Sequence, residues 1–159
     1  MLGLARFETV QPRYNLLFRQ IERELLPLCA AEGLAVIPYN PLAGGFLSGK
    51  HRREAGPTPG TRFTLGTAAR RYQERYWRER EFETVDTLRG LAAEAGMSMI
   101  QLALAWVLAH PAVTSPIVGA SRPAQLDDAM AAVGKTLDSG LKTRLDELTF
   151  DYRLGDDPR

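Results

Sequence analysis

Apolar residues along the chain alternate between a strand-like and a helix-like spacing, and each switch marks an element. Residues 9–17 contain a short extended stretch that Pro12 interrupts. From 20 to 32, Ile21, Leu25, Leu28 and Cys29 recur at helical spacing, which predicts a helix with one buried face. Pro27 lies inside that pattern and predicts a kink or an early bend. Gly33 is placed to end the helix. Residues 34–39, from Leu34 to Tyr39, are mostly apolar, as a strand of a parallel sheet buried on both faces would be.

Residues 40–67 read as one long loop rich in glycine and proline, and loops of that length in small domains are often functional. A helix is expected over 68–95, with Tyr76, Leu88, Leu91 and Ala92 inward and Gly96 closing it. Ser98, with Gln101 three residues on, fits a capping box for a helix over 99–108 that is apolar nearly all round and should be buried. His110 and Pro111 stop it. Residues 113–118 read as a second buried strand despite Pro116. Residues 119–123 are a strand-to-helix turn, followed by helices over 123–133 and 137–148; the last has Leu141, Leu145 and Leu148 on one face. Strands alternating with helices imply parallel βα units, here about three strands with flanking helices. The domain is expected over 1–150, with a frayed polar tail at 151–159.

A chain of 159 residues with 45% apolar and 25% charged positions has material for one globular domain. Twenty basic against nineteen acidic residues leave a net charge of +1, which excludes binding of nucleic acid or a membrane surface through global charge. One cysteine, Cys29, excludes an internal disulfide, and with only His51 and His110 a Cys- or His-based metal site is not expected. Both histidines are expected at the surface or at a helix end. No apolar run is long enough to span a bilayer and no signal peptide stands at the start, so the expected compartment is the cytosol.

In parallel α/β proteins ligands gather at the C-terminal ends of strands. After the last strand, Ser121, Arg122 and Pro123 open a helix whose free N–H groups, hydroxyl and guanidinium suit a phosphate, or merely cap the helix. After the middle strand, Tyr39 precedes a glycine-rich turn, Asn40 to Gly45, that could stack a flat ring and hold a phosphate on its amides, or be an ordinary loop with a buried tyrosine. Neither a G-x-G-x-x-G nor a Walker sequence is present. Residues 50–81 carry nine basic side chains against four acidic ones, with Tyr72, Tyr76 and Trp77 interleaved. They read best as a solvated helix with pairs such as Glu74–Arg78, and Lys50 and Arg62 remain ligand candidates.

Three ordered segments make a resemblance visible. Gln11-Pro12-Arg13-Tyr14-Asn15-Leu16-Leu17, then Pro38-Tyr39-Asn40-Pro41-Leu42-Ala43-Gly44-Gly45-Phe46-Leu47-Ser48-Gly49-Lys50, then Ile117-Val118-Gly119-Ala120-Ser121-Arg122-Pro123-Ala124-Gln125 resemble the aldo-keto reductases, in the branch near the potassium-channel β subunits. The resemblance implies a partial (β/α)8 barrel, a TIM barrel beginning at about the family's sixth strand, since a whole one needs about 250 residues. It implies NADP(H) as cofactor and a small-molecule carbonyl as substrate. Gln11 would hold the nicotinamide carboxamide and Tyr39 would stack on the ring. Pro41, Leu42, Ala43, Gly44 and Lys50 would follow the pyrophosphate, and Arg62 would belong to a loop folding over the cofactor. Gly119, Ser121, Arg122 and Gln125 would surround the 2′-phosphate. Asp128 falls where the family usually has a glutamate facing adenine, and Ala129 where it usually has an asparagine. The family's catalytic Asp, Tyr, Lys and His match no position here, so no catalytic residue is assigned.

The leading expectation is therefore the cofactor-binding part of a carbonyl reductase, unable to turn over alone. The alternative is a non-catalytic nucleotide-binding or assembly module that pairs with a complementing N-terminal half or with itself, through open strand edges. Nucleic-acid binding through 50–81 is the weakest reading.

Overall fold

The computed structural model describes residues 5–155. Strands β1 (Thr9–Val10) and β2 (Ala35–Val36) pair in parallel, with Thr9 opposite Ala35 and Val10 opposite Val36. The ladder continues past the named strands: Ile37 donates to the Val10 carbonyl and Tyr39 to that of Pro12, both at 2.9 Å. The expected third strand is present only as parallel bridges, Val36 to Val113 and Tyr39 to Ile117. Two features break its ladder. The Thr114 hydroxyl accepts the Val36 N–H at 3.1 Å, and Pro116 has no N–H to give.

The helix expected over 20–32 divides. A 3-10 turn covers Gln20–Glu22 and α1 covers Leu25–Glu32, ending on Gly33 at φ 65°. Pro27 is the third residue of α1, where its missing N–H has no intrahelical acceptor to lose, so it causes no kink there. The start at Leu25 sets the helical phase. Leu26 and Cys29 turn inward, and Leu28, expected in the core, is 53% exposed.

The helix expected over 68–95 is two: α2 (Ala69–Tyr76) and α3 (Glu79–Glu94). The backbone turns extended at Arg78, and the Trp77 ring enters an aromatic cluster 5.9 Å from Phe46 and 5.1 Å from Phe82. The break falls between Glu74 and Arg78, and Glu74 accepts from Arg70 at 2.6 Å. The long loop carries a 3-10 stretch, Ala43–Ser48.

Helix α4 (Met99–Leu108) has the expected capping box, with Gln101 N–H donating to Ser98 Oγ at 3.2 Å and Ser98 N–H to Gln101 Oε1 at 3.3 Å. It runs buried through the core, in one cluster with Tyr14, Leu88 and Leu145. Ser98→Ala should lower stability by about 1 kcal/mol and the thermal midpoint by about 2–4 °C, read by calorimetry; no change would mean the box contributes nothing. Helix α5 covers Ala124–Met130 and α6 covers Ser139–Leu148, the latter capped by Asp138, which accepts from Leu141 N–H at 2.9 Å.

The expected polar tail is corrected in part. Phe150–Leu154 forms a 3-10 turn whose Tyr152 is buried, its hydroxyl 2.8 Å from that of Thr84. Residues 156–159 lie outside the described residues. Among the described residues no single helix is long and apolar enough to cross a membrane; α3 and α4 meet at a 91° bend.

Candidate functional site

The turn after β2 is held in an uncommon backbone path. Asn40 and Ala43 have φ of 61° and 51°, and Gly44 and Gly45 follow at 69° and 98°. Asparagine tolerates this region because its short amide can bond locally. Here Asn40 Oδ1 accepts the Gly44 N–H at 2.5 Å, and Asn40 Nδ2 donates to the Tyr76 hydroxyl at 2.9 Å. Asn15, from the loop after β1, donates to the Asn40 carbonyl at 3.0 Å. A side chain on Gly44 would place Cβ 2.5 Å from the Tyr72 ring, so only glycine lets α2 lie against this turn.

That turn forms one wall of a groove of about 490 Å³. Tyr39, Pro41, Leu42 and Gly44 line it, with Lys50 beyond them. The loop residues Gly60, Thr61, Arg62 and Leu65 form a second wall, and Ile117 to Ser121 with Gln125 form a third. Lys50 Nζ lies 3.5 Å from where a Gly45 Cβ would stand, so the ammonium covers the glycine backbone. The Arg62 guanidinium lies 5.9 Å from the centre of the Tyr72 ring and reaches across to Gly119, whose Cβ would lie 3.4 Å from Arg62 Nη2. Among the described residues the lining holds two cations and no carboxylate, so it favours an anion.

Of the sequence-derived candidates, Tyr39, Pro41, Leu42, Gly44, Lys50, Arg62, Gly119, Ser121 and Gln125 share this groove. Four do not line it. Ala43 is wholly buried beneath the turn, Gln11 is exposed beyond β1, and Arg122 and Asp128 are exposed on and before α5. The expected phosphate donors at Ser121 are engaged: its N–H and hydroxyl both donate to Gln125 Oε1, at 2.8 and 3.1 Å. Gln125 must turn away before that turn can hold an anion. The sequence reading missed Tyr72 and Ile100, which helices deliver to the groove without any local motif. Ile117 and Val118 had a usable signal, since they directly precede the Gly119 turn at a strand's end.

One of the two histidines departs from the surface or helix-end reading. His51 is 4% exposed, packed among Phe46, Phe63 and Trp77, and burial pushes its pKa down to about 4, with the Lys50 charge adding to the shift. His110 is half-buried, and its Nδ1 accepts from Ala112 N–H at 3.2 Å, as a helix-end role requires. The aromatics of 50–81 turn inward too, Tyr76 fully and Trp77 in large part, so they offer no exposed stacking platform. Among the described residues no three His, Cys, Asp or Glu side chains are grouped to hold a metal ion.

Comparison with known proteins identifies the family. The sequence profile of the Aldo/keto reductase family matches residues 2–149. The chain is 36% identical over 133 residues to the aldo-keto reductase pigE of Monascus ruber, covering 77% of this chain and 39% of that protein. It is also 36% identical over 124 residues to a probable voltage-gated potassium channel subunit beta of Arabidopsis thaliana, covering 77% of this chain and 37% of that one. In fold it matches a glycerol dehydrogenase from Gluconobacter oxydans with a TM-score of 0.74 and 27% identity, over 95% of this chain and 44% of the other. The chain thus spans about two fifths of the length of these relatives. It belongs to the aldo/keto reductase family, and its strands and helices are part of a (β/α)8 barrel.

Proposed function

We propose that this chain provides the NADP(H) seat of a carbonyl reductase. The observation that carries the reading is the single groove in which an exposed tyrosine ring, a glycine backbone and two cations converge without a carboxylate. The residues fit the group. Tyr39 offers a ring face for a flat heterocycle, the Pro41–Gly44 backbone leaves room for a pyrophosphate, and Lys50 and Arg62 neutralise its charge. Arg122, next to Ser121 at the groove's edge, supplies the guanidinium that selects a 2′-phosphate once Gln125 swings aside. When bound, the cofactor supplies a hydride to a carbonyl carbon. This chain's own part is to orient that cofactor and cover its phosphates; the proton donor is assigned to no residue here.

Titration of the 159-residue chain with NADPH, followed by the cofactor's fluorescence, tests this. Saturable binding is expected, weaker for NADH. Lys50→Ala and Arg62→Ala should each raise Kd about tenfold or more, with circular dichroism unchanged. With NADPH and 4-nitrobenzaldehyde the chain alone should show no turnover. A folded chain that binds no NADPH at millimolar concentration overturns the reading.

A further inference from the structure

The groove's second wall hangs from one buried histidine. His51 Nδ1 lies 3.1 Å from the Thr58 hydroxyl. The Thr58 carbonyl in turn accepts the hydroxyls of Thr61 at 2.7 Å and Thr64 at 3.1 Å. Those threonines bracket Arg62 and Phe63. Phe63 is fully buried, 4.7 Å from the His51 ring, while Arg62 crosses the groove toward Gly119. Trp77 and Phe46 close the rest of the cage, at 5.3 and 5.9 Å between ring centres. Among the described residues His51 Nε2 has no hydrogen-bond partner.

We propose that His51 is the positioning residue of the loop covering the groove, and that the cover is a proton-released latch: closed while the imidazole is neutral, open when it is protonated. The consequence for cofactor binding rests on the reading above, whereas the latch is measurable without ligand.

The chemistry is a matter of acceptors. Imidazolium must donate from both nitrogens, and Nε2 faces no acceptor in an aromatic cage. Among the described residues no carboxylate compensates. The Thr58, Phe63, Phe46 and Trp77 side chains that pack on the ring carry no charge. On His51's own segment, Lys50 repels a proton, and Arg53 is engaged with Glu79 at the start of α3. Opening the loop returns the ring to water and to its ordinary pKa of 6.5, from about 4 when closed. The sign follows: the histidine's support for the closed loop is complete above pH 6.5 and is lost as pH falls toward 4. Between pH 8 and pH 5 the closed-to-open ratio should drop about 30-fold.

Amide hydrogen exchange of the ligand-free chain reads that ratio, with each rate referred to its intrinsic value at the same pH. Leu65 and Thr64, whose N–H groups donate to the Thr61 carbonyl at 3.0 Å, are the probes, and amides of α4 report global opening. Protection at the probes should fall about 30-fold from pH 8 to pH 5 while α4 protection holds. His51→Phe, which keeps an aromatic ring in the cage, and His51→Gln should both abolish the slope whatever they do to its level. A flat wild-type profile, or a slope that survives in both variants, overturns the latch. NADPH titrations at the two pH values separate the readings. An intact latch with no NADPH binding at either pH refutes the cofactor seat alone. Binding at both pH values with a flat exchange profile refutes the latch alone.

Discussion

Phe46→Ala is expected to destabilise the protein by about 3–5 kcal/mol, among the largest effects of any single truncation here. The ring is 1% exposed and stands at the centre of the aromatic cluster. Phe82 lies 4.9 Å away, Phe63 5.8 Å, Trp77 5.9 Å and Tyr76 6.4 Å between ring centres. These rings come from the turn after β2, the covering loop, α2 and α3, so the vacated space cannot be filled by moving one element. Truncation removes the transfer energy of the ring and leaves a cavity whose walls keep their positions. A urea melt should show a lower midpoint with an unchanged slope. The groove should suffer as well, because Phe46 supports both the Gly44–Gly45 backbone and the His51 cage. A loss below about 1 kcal/mol would mean that the cluster is loosely packed.

Arg19→Ala is expected to cost a similar amount, about 3–5 kcal/mol, by a different route. Arg19 is 5% exposed. Its guanidinium holds Glu22 through Nε at 2.8 Å and Nη2 at 2.9 Å, and Nη1 donates to the Asp146 carbonyl at 2.8 Å and the Thr149 hydroxyl at 2.7 Å. Removing it leaves the Glu22 carboxylate, which also accepts the Tyr14 hydroxyl at 2.8 Å, with the longer ion pair to Arg153 Nε at 3.4 Å in place of the close fork. Lysine should not rescue, since a single ammonium cannot reproduce the planar fork. Arg19→Ala combined with Glu22→Gln should recover part of the loss, because the poorly compensated charge is gone; a strictly additive double mutant would refute the coupling.

The same network predicts a pH dependence. Burial alone would raise the Asp146 carboxyl, but hydrogen bonds from Lys142 and Trp106 and the Arg19 charge outweigh it and hold its pKa below the usual carboxylate range. Its stabilising contribution is therefore present above the unfolded pKa and lost as pH falls through the folded one.

Much of the groove was legible because its parts are local. Tyr39, the Asn40–Gly45 turn and the Gly119–Ser121 turn directly follow strand segments, and a backbone that must bend sharply there leaves glycine and asparagine as its trace. The capping box of α4 was legible for the same reason: both its hydrogen bonds join residues three apart. His51 was not. A lone histidine in a polar stretch looks solvated, and only Phe46, Phe63 and Trp77, from separate segments, bury it.

Element boundaries divided along the same line. The apolar rhythm over 68–95 is continuous in sequence, yet the helix breaks where Trp77 is drawn into the core, a contact at long range that no local pattern records. Residues 113–118 have the composition of a strand, but Thr114 and Pro116 spoil the ladder once the partner strand is in place.

The sequence by itself determined most of the order of strands and helices, the family, and the turns that line the groove, because propensity, capping and turn chemistry act between near neighbours. The tertiary structure alone decided which side chains share the groove and why His51 is held neutral. Those depend on distances between segments far apart in the chain, where desolvation and packing, rather than local preference, set the energies.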